Sequence, residues 1–173
     1  MKKFLKVFSI VLLAALILTG CEKRKEVKFD GEEGTITFNV KEDSGCKIST
    51  DKEDLRTSRE QGSLVCKDFK IGIEFNDDLD YFFDGDFNKL KEKRKDYEDY
   101  KEVTYGKFKG IQYFYHGYMC HDILMPIEGS KKYFLSLSVY GMEDNEKSAK
   151  AAIKNEKVID TLNNIVSIST KEK

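Results

Sequence analysis

The sequence predicts an α+β fold: a single antiparallel β-sheet packed with about two main helices. Three observations carry that expectation. Apolar residues alternate at period two in several stretches, most cleanly in "SLVCKDFKIGIEF" (63–75), where Phe69, Ile71, Ile73 and Phe75 face one way and Lys70, Gly72 and Glu74 the other. Two other stretches, 84–100 and the segment from 145 to 170, switch to the helical period. Strands do not alternate with helices, which argues against a parallel, doubly wound sheet.

Taken in order, residues 22–33, "EKRKEVKFDGEE", read as a solvated, charged tether. "TITFNV" (35–40) is a strand with Ile36, Phe38 and Val40 on one face, and "CKIST" (46–50) is a short second strand. Residues 51–62 are a polar loop, long for a hairpin. After the 63–75 strand, Phe87, Leu90, Tyr97 and Tyr100 keep to one face of a helix that Asp86 is placed to cap. Val103 and Tyr105, then Ile111, Tyr113 and Tyr115, return to the strand pattern around a turn near Gly106. Tyr133, Leu135, Leu137 and Val139 share a face of another strand. Val158, Ile159, Leu162, Ile165 and Val166 form the apolar stripe of a final helix.

The N-terminus carries a different message. Lys2, Lys3 and Lys6 precede an apolar run whose uninterrupted part, Ile10 to Leu18, is far short of the roughly 20 residues that span a bilayer. Leu18, Thr19, Gly20 and Cys21 then resemble the lipobox of bacterial lipoproteins: leucine, two small residues and cysteine. The resemblance covers residues 1–21. It implies a signal peptide over 1–20, recognition by a signal peptidase through Leu18, Thr19 and Gly20, and a diacylglyceryl group on Cys21 as the new N-terminus. Such an anchor would hold the protein on the outer face of a cell membrane, since two or more acyl chains retain a protein stably. The expected organisation is signal peptide 1–20, tether 21–33 and one α+β domain over 34–173.

The order of the later segments, "ITFNV", "FKIGIEF", "YGKFKGIQYFY" and "YFLSLSVYG" followed by "VIDTLNNIVSI", resembles the Mog1/PsbP-like fold over most of 34–168. That resemblance implies a domain that binds or assists other proteins rather than one that catalyses.

Charge narrows the partners. Removing residues 1–20 takes three lysines from the 30 basic residues and none of the 31 acidic ones, so the net charge moves from −1 to about −4. A mildly acidic, evenly mixed surface argues against nucleic acid, which requires a basic face.

Four constellations invite a chemical reading. In "HGYMCHD" (116–122), a four-residue hairpin loop over 117–120 would set His116 and His121 opposite each other, with Cys120 or Asp122 as a third ligand for zinc or copper. Against this, adjacent Cys120 and His121 point to opposite faces of any extended segment. The five aspartates of "NDDLDYFFDGDFN" (76–88) suggest calcium, but the EF-hand spacing is absent and turn and cap roles account for them. Cys46 and Cys66 flank the 51–62 loop nearly symmetrically, position 46 falling near 67, which permits a disulfide; the other reading is small buried apolar side chains. Tyrosines between 97 and 118 either grip a ligand or partner or serve as half-buried sheet residues. No nucleophile elbow, metalloprotease helix or glycine-rich phosphate loop is present in the sequence.

The expectation is therefore a lipid-anchored extracytoplasmic protein, without a cofactor and not an enzyme, that binds a protein partner or assists envelope assembly. The alternative is a lipoprotein that binds a small ligand or a metal.

Overall fold

A computed structural model describes residues 22–171. Leu18, Thr19, Gly20 and Cys21 lie outside the described residues, and so does the proposed anchor. Among the described residues no helix is long and apolar enough to cross a membrane.

The chain is mostly β. Among the described residues ten strands form two antiparallel sheets, accompanied by four short helices, so the expected single sheet with two main helices is corrected. The small sheet has the order β1-β2-β10, from β1 (Arg24–Asp30), β2 (Gly34–Lys41) and β10 (Ile165–Thr170). The large sheet has the order β3-β4-β5-β9-β8-β7-β6. Its strands are β3 (Lys47–Ser49), β4 (Gly62–Val65), β5 (Lys70–Asn76), β6 (Lys101–Tyr105), β7 (Phe108–Tyr115), β8 (Cys120–Pro126) and β9 (Phe134–Tyr140). The helices are α1 (Asp78–Phe83), α2 (Phe87–Arg94), α3 (Glu146–Ala152) and α4 (Glu156–Asn163).

Both misread segments lie in the small sheet. Residues 24–30, expected as tether, are β1, paired with β2 from Arg24 opposite Lys41 to Asp30 opposite Thr35. Lys25, Glu26, Lys28 and Asp30 are exposed, while Phe29 is buried and stacks on Phe75 at 6.3 Å between ring centroids. The expected C-terminal helix is instead α3, α4 and β10. Asn145 caps α3 by accepting from the Ser148 N–H, and Asn155 caps α4 by accepting from the Lys157 N–H. Asn164 ends α4, and the β-branched run Ile165, Val166 and Ile168 continues as a strand against β2. Val158 and Leu162 are buried as the stripe requires, but Ile159 and Val166 are exposed.

The main core joins Ile36, Phe38 and Val40 of β2 to one face of the large sheet, represented by Ile71, Ile73, Ile123, Leu135, Leu137 and Val139. α4 contributes Val158 and Leu162 to it. A second, smaller cluster lies on the opposite face, where Leu79 and Phe83 of α1 and Leu90 of α2 meet Ile111, Leu124 and Phe134. Asp86 caps α2 through the Asn88 N–H at 2.8 Å. Phe87, Tyr97 and Tyr100 pack half-buried against this second cluster.

Cys46 and Cys66 form a disulfide. The β3–β4 register pairs Lys47 with Val65, which sets Cys46 directly opposite Cys66 rather than one residue away.

Candidate functional site: a polar cleft on the second face of the large sheet

The expected hairpin at 116–121 closes differently. Tyr115 pairs with Cys120, and His121 pairs with Phe114. His116 is thus a turn residue, and its Nε2 lies 2.7 Å from Glu98 Oε2 at the surface. His121 is buried on the main-core face, where its Nε2 lies 3.4 Å from Asp99 Oδ2 and burial pushes its pKa down. Phe114 stands between the two imidazoles, edge-on to both, at 4.8 Å and 5.2 Å between ring centroids. Cys120 faces the other side of the sheet, where burial pushes the thiol pKa up. A metal requires the thiolate, and the three residues do not converge. Among the described residues no group of three or more metal-ligating side chains comes together.

What does converge lies on that other side. The alternate residues of the central strands form transverse rows across the sheet. Gly72, Ser138, Asp122 and Tyr113 stand side by side in register across β5, β9, β8 and β7. Glu74, Ser136, Leu124 and Ile111 form the next row. A sheet face covered by helices would ordinarily be apolar; here half of each row is polar. α1 and α2 cover one end of this face, and Thr57 and Arg59 of the 51–62 loop reach the other. Between them is a cleft of about 300 Å³. Its polar floor is Glu74, Asn76, Asp122, Ser136 and Ser138, and its walls include Arg94, Tyr97, Tyr113, Tyr115 and Tyr118.

Each polar group has an identifiable state. Asp122 accepts from the Ser138 hydroxyl at 2.7 Å and from the Cys120 thiol at 3.4 Å, and burial nevertheless pushes its pKa up. Burial likewise pushes Glu74 up to about 7, even though Asn76 Nδ2 donates to its Oε1 at 2.7 Å. Arg94, in the last turn of α2, donates to the Tyr97 hydroxyl at 2.7 Å and lies over the rings of Tyr97 and Tyr113, at 4.9 Å and 5.7 Å. Its Nε is buried with no hydrogen-bond partner, a state that costs free energy until something accepts from it.

A buried brace stiffens the loop side. Glu60 lies over Gly72, where any Cβ would stand 2.4 Å from Glu60 Oε1. The Tyr140 hydroxyl donates to that oxygen, and the Arg56 N–H donates to Oε2 at 2.9 Å. Burial pushes Glu60 up as well.

A second groove, of about 400 Å³, runs beside the start of β1 and α4. Its lining includes the exposed ion pairs of Lys41 with Glu22 at 2.7 Å and of Lys157 with Asp68.

The tyrosine cluster was visible in the sequence as a choice between ligand grip and sheet filler. The floor was not: Glu74 read there as the wetter side of a strand, Asp122 as a candidate third metal ligand, and Ser136 and Ser138 carried no signal. The aspartate-rich 76–88 segment supplies Asp78 to the cleft and Asp86 to a cap rather than a calcium loop. No protein-family model, no curated protein and no solved structure matches this chain.

Proposed function

We propose that this protein is a non-catalytic, lipid-anchored module of the extracytoplasmic membrane face that binds a small polar ligand in the cleft. The observation that carries the reading is the floor of Glu74, Asp122, Ser136 and Ser138, all polar, with Ser136 buried and the other three half-buried between α1, α2 and the 51–62 loop. Desolvating two carboxyl groups beneath helices costs stability, and a site that recognises polar atoms explains retaining them. A volume of about 300 Å³ stands at the small end of the range for small-molecule sites. The anchor rests on the lipobox resemblance of Leu18 to Cys21.

A protein partner is the second reading. Tyr81 and Phe82, at the end of α1, are 83% and 60% exposed and pack edge-to-face at 4.7 Å. They form an apolar knob next to Phe83, which lines the cleft.

One preparation tests both parts. The full chain is recovered from its native membrane in detergent, with ring-labelled tyrosine, and titrated with the low-molecular-mass fraction of an envelope extract. The expected result is a mature N-terminus at an acylated Cys21 and shifted ring signals from Tyr97, Tyr113, Tyr115 and Tyr118. Recovery of a lipid-free chain beginning at Met1 overturns the anchor. Ring signals that move only with a protein fraction, and then at Tyr81, replace the ligand by a partner.

A further inference from the structure

We infer that the ligand of the cleft is a neutral polyhydroxyl compound: a saccharide, free or as the end unit of a longer glycan. The inference rests on the ligand-binding reading above and goes on to the chemistry of the ligand.

The charge of the cleft points away from ions. Asp122 and Glu74 face Arg94 and Arg59 across the same space. Burial holds both carboxyl groups toward their protonated forms, Glu74 up to about 7. An anion such as phosphate would meet two carboxyl groups on the floor. A cation such as a polyamine would meet a guanidinium lying over Tyr97 and Tyr113, the very rings that would have served as its cation–π platform. With Asp78 the lining holds three carboxyl groups and two guanidinium groups, so it presents charge of both signs.

The hydrogen-bonding of the cleft points to hydroxyl groups. Arg94 Nε is a buried donor without an acceptor. Glu74 and Asp122 are acceptors that become donors when protonated. A hydroxyl donates and accepts through the same atom without carrying charge, so it serves the guanidinium and the carboxyl groups in either protonation state. An aliphatic ligand would strand all of them.

The walls suit a ring with one apolar face. Tyr115 and Tyr118 pack edge-to-face at 5.4 Å, and Tyr97 and Tyr113 do so at 5.0 Å. Tyr118 comes from the β7–β8 turn and is 44% exposed, which leaves its ring free to cover a bound sugar at the mouth. Polar floor, mixed donors and acceptors, and a tyrosine lid together match the amphipathic surface of a pyranose, whose hydroxyls lie at the rim and whose C–H groups form the face.

The experiment is a titration of the full chain in detergent, read by tyrosine ring signals. The probes are glucose, galactose and N-acetylglucosamine, their short β-1,4-linked oligomers, spermidine, inorganic phosphate and glycylglycine, each to about 10 mM, which detects Kd values down to the millimolar class. The expected result is saturable binding of at least one saccharide with shifts confined to the cleft tyrosines. Monosaccharide binding identifies a free sugar, and binding of the oligomers alone identifies the end of a glycan. Tyr118→Ala should weaken that binding roughly tenfold with the melting temperature unchanged. Binding of spermidine, phosphate or glycylglycine in place of any saccharide overturns the polyhydroxyl assignment and leaves the ligand reading standing. Silence of the cleft tyrosines toward every probe and toward the envelope extract overturns both.

Discussion

On β9, Leu135, Leu137 and Val139 turn to one face of the large sheet, while Phe134, Ser136, Ser138 and Tyr140 turn to the other. The first set is wholly buried against β2, α4 and neighbouring strands. In the second set Phe134, Ser136 and Tyr140 are buried and Ser138 is half-buried, and the set lies beside carboxyl groups and tyrosine hydroxyls. Both faces are thus largely withdrawn from water, and they differ in what that withdrawal does. On the core face, removing water from apolar carbon stabilises the fold. On the cleft face, removing water from Glu74 and Asp122 shifts their protonation and costs stability. One sheet thus carries a stabilising side and a side kept for recognition.

The sharpest way to break this comparison is to exchange volume on the core side. Leu137 is fully buried in the main core. Leu137→Ala should cost about 3 kcal/mol, from lost transfer energy plus the cavity left behind, and lower the melting temperature by roughly 10 °C at this size. Denaturant unfolding at pH 7 measures it. A loss under about 1 kcal/mol would mean that the two-sheet core is not packed as described.

How this division escaped the sequence is a physical matter. Alternation in 69–75 identifies the buried side of β5 because Phe69, Ile71, Ile73 and Phe75 are all apolar. Alternation cannot say whether the other side meets water or a helix, and Lys70, Gly72 and Glu74 read the same either way. Gly72 is there because Glu60, from a loop twelve residues earlier, needs its space, and that long-range reason leaves no local mark. β1 was hidden because five of its seven residues are charged, leaving only Val27 and Phe29 to carry the pattern. β10 was hidden because Ile165 and Val166 continue the helical stripe of α4 by coincidence, and only Asn164 and the β-branched run mark the change. The cap at Asp86 depends on residues adjacent in sequence and was legible. The metal reading of His116, Cys120 and His121 failed on register: starting β8 at Cys120 rather than His121 moves one imidazole into the turn and the other into the core.

The cleft side can be probed through its protons. The folded state holds the Glu74 proton more tightly than the unfolded chain does, because its pKa is raised from 4.5 to about 7. Stability from this group is therefore full below about pH 4.5 and is lost as pH rises to about 7. Glu74→Gln keeps the shape and the Asn76 contact but removes the titration. Relative to the parent, the variant should be near neutral at pH 4.5 and more stable by about 3 kcal/mol at pH 8. Calorimetry across that window reads the difference, which also cancels the opposite trend of His121. A variant whose advantage does not grow with pH would show that Glu74 is ionised and solvated, making the cleft face an ordinary wet one.

The finest distinction lies between neighbours on one strand. Ser138 follows Leu137, turns the other way and donates to the half-buried Asp122 at 2.7 Å. Ser138→Ala leaves almost no cavity, so its cost is that of one hydrogen bond, about 1 kcal/mol, well below that of Leu137→Ala. That cost should also depend on pH. The hydroxyl favours the ionised carboxylate, so its removal raises the Asp122 pKa beyond the point to which burial has already pushed it. Where the folded state keeps Asp122 protonated, little is lost; as pH rises and the carboxylate ionises, the missing donor is felt. Unfolding followed across pH should therefore show a penalty that grows as pH rises, whereas that of Leu137→Ala, which touches no titrating group, should stay constant. Equal pH dependence for the two substitutions would mean that the sheet does not separate its faces electrostatically, and the recognition role assigned to the second face would lose its physical basis.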